Sequence, residues 1–432
     1  MSAPRNPRID SERLWGDIMA LGELTEPDIP YTRRSFSPMF LKGREWLSQR
    51  FADAGMAVRL DAGGNLIGRL PAADPALGTI MIGSHSDSVP SGGRFDGIAG
   101  VAAAIEVVRA FRDAGHLMNH PVEVVDFLAE EPSEFGLSCV GSRAMAGRLL
   151  DDMLAYKNAA GEALGSAIDR VGGDVANIAQ ARRGDIASFL ELHIEQGRVL
   201  EDTHVDLGIV SAIASVTRVE IQFEGRADHA GTTPMHLRRD AGVAAATTIS
   251  FVAAEAERRA AMGRGHFVAT TGVVTVSPNA ANVIPANARL IIDIRAEDDD
   301  VLEGFLESLD AQTLAIAQAA SVGRSGWKIV SRTRPAHCDP QLRELLGQSA
   351  QSLGYSVLDM ASGAGHDAAF ISMIAPSGMV FVPCREGRSH TPEEWVAPEA
   401  LAAGAATLLE TIIRLDTRPA PANRTSTQGA RQ

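Results

Sequence analysis

Residues 79–96 read TIMIGSHSDSVPSGGRFD: an apolar run from Thr79 to Gly83 opens into a Gly-rich loop that carries His85, Asp87 and Asp96. A short apolar run bounded by Gly reads as a strand buried on both faces. Three further runs share this form, Val122 to Leu128, Ser188 to Ile194 and Gly378 to Val382. Each ends in or leads to a polar cluster: AEEPSEFG, ELHIEQG and GRSHTPEEW. Helical segments such as Val101 to Ala114 separate the runs, so the layout is α/β. In open α/β sheets, loops at the strand ends carry the functional groups because a rigid scaffold holds them against solvent.

On the N-terminal side lie two helical stretches, Asp10 to Leu24 and Ser35 to Ala54, the second closed by Gly55 as a C-terminal cap. On the C-terminal side the character changes between Ala214 and Val330. VTRVEIQFEG alternates like a half-exposed strand, an Ala-rich helix starts at Asp240, and FVATTGVVTV and ARLIIDIR read as strands. This segment is an expected α+β insertion, after which a helix from Pro340 to Leu353 resumes the earlier pattern. The expected organisation is a catalytic domain in two parts, 1–213 and 331–416, an inserted domain at 214–330, and a flexible tail at 417–432 rich in Pro, Thr, Ser and Gln.

A chain of 432 residues is longer than one core usually supports, which fits two domains. Hydrophobic residues at 45% and charged residues at 22% place it among globular proteins. The formal net charge of −14 leaves no basic surplus for nucleic acid. Cys139, Cys338 and Cys384 form neither a disulfide framework nor a thiolate metal site, so a reducing cytoplasm is the expected compartment. The first residues lack the apolar core of a signal peptide, and no apolar run reaches the roughly 18 residues of a membrane span.

Imidazole and carboxylate in a Gly-rich loop can bend toward one point, which makes His85 and Asp96 candidate metal ligands. Asp87 is placed to accept the other imidazole N–H of His85 and fix its tautomer. Glu130 and Glu131 end an apolar run, where adjacent side chains on an extended chain point opposite ways, so one can bind metal while the other faces substrate. His193 ends another run and His390 follows the fourth. Each has a plainer reading: a solvated loop, a surface Glu pair, a satisfied core histidine, or a turn before a helix at Pro392 capped by Ser389 or Thr391. Together, His85, Asp96, Glu131, His193 and His390 suit two divalent ions that share one carboxylate.

These ordered segments resemble the di-metal aminoacylase, carboxypeptidase and aminopeptidase superfamily. Within it they are most similar to the hydantoinase/carbamoylase amidase branch, over about Ile9 to Leu415. The resemblance implies a di-metal exopeptidase-like catalytic domain, a mixed sheet flanked by helices, with an inserted α+β lid and dimerisation domain. It implies that Asp96 bridges the two ions, with His85 and His193 completing one site and Glu131 and His390 the other. Glu130 becomes the general base, taking a proton from the attacking water and delivering it to the leaving nitrogen. GRADHAGTTPM, PNAANVIP and DIRAEDD look like the branch's substrate-domain motifs. They point to His229 as an oxyanion donor reaching the partner's active site in a homodimer. Arg295, Asn282 and Gln196 would grip a substrate carboxylate, and Gly363 and Ala364 in SGAGHDA would give backbone contacts to the same anion. Read without the likeness, Arg295 could pair with Asp293 or Glu297, and Asn282 could shape a turn before Pro285. His116, His120, His204, His236, His266, His337 and His366 are read as structural or exposed.

Departures from the branch concern specificity. Pro132 and Glu134 replace a Gly-Ser-Arg-Phe-like run beside the base, and Arg388 precedes Ser389 where a small apolar residue is usual. The reading implied is hydrolysis of an N-carbamoyl-L-amino acid to the amino acid, carbon dioxide and ammonia, with zinc as the default metal and manganese, cobalt or nickel as alternatives. Allantoate, a ureidopropionate or an N-acyl amino acid are the alternative substrates. A catalytically inactive ligand-binding homodimer is the non-enzymatic alternative.

Overall fold

The computed structural model describes residues 6–417. The expected tail lies outside the described residues from 418 onward. The chain divides into two compact units. The first holds residues up to Ile209, with Asp339–Leu358 and the segment from Met373 on; the second holds Val210–Cys338 and Asp359–Ser372.

In the first unit the strands lie in the order Ala57–Leu60, Leu66–Leu70, Val122–Phe127, Thr79–His85, Ile186–Ile194 and Ser377–Val382. The first two pairings are antiparallel, and the last four strands run parallel. All four parallel strands are buried along nearly their whole length, as their apolar runs require. Ile80, Ile82, Leu190, Leu192, Val380 and Val382 share one core with the helices Ser11–Gly22, Ile98–Ala114, Pro340–Ser352 and Pro398–Thr417. Full burial of each such side chain contributes about 1.5–3 kcal/mol.

The register fixes the site. His85 pairs with Phe127, and Phe381 pairs with His193, so the C-terminal ends of the parallel strands come out along one sheet edge. The helix Ile98–Ala114 begins two residues after Asp96, past its N-cap Gly97, and packs on those ends. Gly97 has φ 67°, and a Cβ there would stand 2.4 Å from the His85 ring, so only glycine fits.

The second unit carries a four-stranded antiparallel sheet, ordered Gly323–Arg332, Ser215–Glu224, Asn287–Ala296 and Phe267–Ser277. Alternate residues Val219, Ile221, Phe223, Leu290, Ile292 and Ile294 are buried with the helices Ala241–Ala260 and Asp299–Ala319. This is the period-two pattern of a sheet covered on one face. The mixed α/β sheet and the separate α+β unit are the fold class expected from the sequence. Among the described residues, no helix is long and apolar enough to cross a membrane.

Several local expectations shift. The second helix begins at Pro38, capped by Ser37, three residues later than its apolar pattern suggests. No helix starts at Pro392; the final helix starts at Pro398. The Glu pair lies beyond the strand, which ends at Phe127, and follows a turn at Ala129, whose φ of 53° is left-handed.

Candidate metal centre

Asp96 lies at the middle of a cluster drawn from the ends of two strands, Thr79–His85 and Ile186–Ile194, and from the loops that carry Asp96, Glu131 and His390. Its Oδ1 is 3.1 Å from His193 Nε2 and 3.6 Å from His85 Nε2, while its Oδ2 is 3.1 Å from His390 Nε2. Glu131 Oε1 stands 3.3 Å from the same His390 nitrogen. Two groups therefore form around one carboxylate, His85–Asp96–His193 and Asp96–Glu131–His390, each with ligand atoms within 4.8 Å of one another. Hard oxygen and borderline nitrogen donors without thiolate suit divalent ions. The donor set fits two of them.

Glu130 sits beside the first group, its Oε2 3.6 Å from His85 Nε2 and its Oε1 3.5 Å from the Cys139 thiol. The Asp87 carboxylate accepts the backbone N–H groups of Glu130 and Glu131 at 3.3 and 3.2 Å. The backbone oxygen of Asp87 approaches His85 Nδ1 at 3.1 Å, closer than its carboxylate at 3.5 Å. His193 Nδ1 faces its own strand's Ile194 carbonyl at 2.9 Å, which directs Nε2 inward.

The electrostatics describe a strongly negative site. Burial lowers the His85 pKa, but Glu130, Asp87 and Asp96 outweigh it and hold the ring well above its usual value. His390 is raised to about 10 by its contacts with Asp96 and Glu131. Burial acts to raise Asp96, yet His193, His390 and His85 hold it well below the usual carboxylate range. Glu131 is raised by burial, against the pull of His390. The carboxylates of Asp87, Asp96, Glu130 and Glu131 crowd this site, and dications held there would offset their mutual repulsion.

Gln196, at φ 59°, donates from Nε2 to Asp96 Oδ2 at 2.8 Å. In the second unit, His229 and Asn282 are neighbours: the Ala230 N–H donates to the Asn282 carbonyl, and His229 bridges Val283. Arg295 donates to Asp293 at 2.8 Å and to the Gly363 carbonyl at 2.9 Å, so it both pairs on the sheet and braces the Gly363–Ala364 loop. Ser362 Oγ fixes that loop through the Ala364 N–H at 3.1 Å and His366 Nε2 at 2.8 Å.

The sequence offered Ser389 only as a turn cap and gave Glu394 no role. The Ser389 hydroxyl lies 3.0 Å from Asp96 Oδ2 and 2.9 Å from Glu394 Oε2. Glu394 Oε1 accepts the Phe95 and Asp96 N–H groups at 2.8 and 3.1 Å. A run of two glutamates in GRSHTPEEW was the available signal.

Residues 81–414 match the model of peptidase family M20/M25/M40. The chain belongs to this family. M20 enzymes are di-metal hydrolases, and the two groups around Asp96 are the candidate sites. An N-carbamoyl-L-amino acid amidohydrolase of Geobacillus stearothermophilus is 38% identical over 410 residues, covering 94% of this chain and 99% of that one. A ureidoglycolate hydrolase of Oryza sativa subsp. japonica is 33% identical over 414 residues, covering 94% and 85%. A crystal structure of a hydantoinase/carbamoylase family amidase from Burkholderia multivorans superposes with a TM-score of 0.88 at 33% identity, over 96% of this chain and all of that one. Within M20 the chain lies in the hydantoinase/carbamoylase branch and is an amidohydrolase acting on non-peptide C–N bonds.

Proposed function

We propose that this M20 amidohydrolase cleaves the ureido C–N bond of an N-carbamoyl-L-amino acid, consuming one water and releasing the amino acid, carbon dioxide and ammonia. The observation that carries the proposal is the division of Asp96 between two ligand groups, with Glu130 against the first. The carbamoylase relative at 38% identity supports the choice of substrate.

His85, Asp96 and His193 would hold one ion, and Asp96, Glu131 and His390 the other. Two such ions supply Lewis-acid polarisation of the scissile carbonyl and ease deprotonation of water. Zinc is the first candidate for these donors, with manganese, cobalt and nickel behind it. Glu130 takes the proton from water and returns it to the departing nitrogen, worth about 10²–10⁴-fold in rate for a positioned acid–base group. Asp87 steadies Glu130 and Glu131 through their backbone N–H groups. On the family likeness, His229 stabilises the oxyanion across a homodimer. Gln196, Asn282, Arg295, Gly363 and Ala364 would hold the substrate carboxylate.

The test is ammonia and amine release from N-carbamoyl-L-amino acids, allantoate, ureidoglycolate, N-carbamoyl-β-alanine and N-acyl amino acids, with chelated and metal-reconstituted protein. Metal-dependent turnover led by an N-carbamoyl-L-amino acid is expected. Preference for ureidoglycolate or allantoate would replace the substrate and keep the reaction class.

A further inference from the structure

Glu394 is 1% exposed and the two residues after it are apolar and packed inward: Trp395 lies edge-on against Phe95 at 5.8 Å, and Val396 is fully buried. A carboxylate in such a place carries a desolvation cost that an apolar side chain would avoid. Its contacts explain its presence. One oxygen accepts the backbone N–H groups of Phe95 and Asp96; the other faces the Ser389 hydroxyl, which in turn faces Asp96 Oδ2. Gly93 lies so close that a Cβ there would stand 1.8 Å from Glu394 Oε1, so the Gly-rich loop is shaped around this side chain.

We infer that Glu394 is a positioning residue that fixes the orientation of Asp96 for sharing between two ions. It holds the main chain of Asp96 from one side and, through Ser389, the carboxylate oxygen that faces His390. An apolar residue could fill the same volume and close the same core but could not orient a carboxylate. Groups that orient metal ligands typically change affinity or activity by about 10- to 100-fold when removed. The inference rests on the reading of Asp96 as the shared ligand.

The experiment measures metal binding, independent of any substrate. Wild type, Glu394→Ala, Glu394→Asp, Glu394→Gln and Asp96→Ala are equilibrated with buffered zinc, and bound metal is counted by mass spectrometry with circular dichroism as a check of folding. Wild type is expected to hold two ions. Glu394→Ala and Glu394→Asp should bind about 10- to 100-fold more weakly, the latter because one methylene less withdraws the carboxylate from both N–H groups. Glu394→Gln should recover most of the affinity, since its amide oxygen still accepts both. Wild-type affinity in folded Glu394→Asp, or a Gln variant as weak as Ala, overturns the inference. Should the Ala variant not fold, the Asp and Gln variants decide. If wild type holds fewer than two ions, or Asp96→Ala leaves binding unchanged, the shared-ligand reading itself falls and the inference with it.

Discussion

His390 Nε2 stands 3.1 Å from Asp96 Oδ2, although His390 is half exposed and Asp96 is buried. The second ligand group therefore opens to solvent on its His390 side, while His85 and His193 are each 1% exposed. Replacement of His390 by Ala should leave the first group intact and lower bound metal from two ions to one per chain. Metal counting on the purified variant checks this, and two retained ions would remove His390 from the ligand set.

Glu130→Gln should lower turnover by about 10²–10⁴-fold with bound metal unchanged. The amide keeps the shape beside His85 but cannot accept a proton. Steady-state kinetics beside metal analysis separates this from loss of the ions, and near-normal turnover would dismiss Glu130 as the base.

Asp87→Ala leaves two buried backbone N–H groups without their acceptor. An unmet buried polar group costs about 1–3 kcal/mol, so the variant should unfold at lower denaturant as well as lose activity. Asp87→Asn, which keeps one oxygen acceptor, should fall between. Urea titrations of the three proteins order them; a wild-type midpoint for the Ala variant would refute the role.

Asp185 lies far from this chemistry and gives a pH test of the fold. Its hydrogen bonds from Arg183 lower its pKa from 3.8 to about 2. A depressed carboxylate stabilises the folded state above its unfolded pKa, and that contribution fades as pH falls from about 4 toward 2. The Asp185 side chain is 54% exposed and therefore screened, so about 1 kcal/mol is expected. The urea midpoints of wild type and Asp185→Asn should differ at pH 7, draw together as pH falls below about 4, and meet near pH 2.

The sheet was legible because burial on both faces writes continuous apolar runs, and their polar ends named His85, Glu131 and His193 directly. The path of the chain after each strand was less so. Ala129 in a left-handed turn, rather than continued extension, aims the Glu pair, and nothing in its side chain announces that conformation. Asp87 was read through its spacing from His85, whose Nδ1 its carboxylate approaches at 3.5 Å, but the same carboxylate also accepts from Glu130 and Glu131, residues that only parallel strand pairing brings near. Glu394 was invisible for a similar reason. Its backbone partners, Phe95 and Asp96, lie 299 and 298 positions away, and a second Glu in a polar run has no periodicity to mark it.

That distance also bears on how the protein is made. Phe95 and Glu394 are 299 positions apart, and Asp96 meets Ser389 across 293. The first ligand group draws on residues 85–193 alone and the second needs residues 389–394, so the chain must be made through that late segment before Asp96 has ligands on both sides.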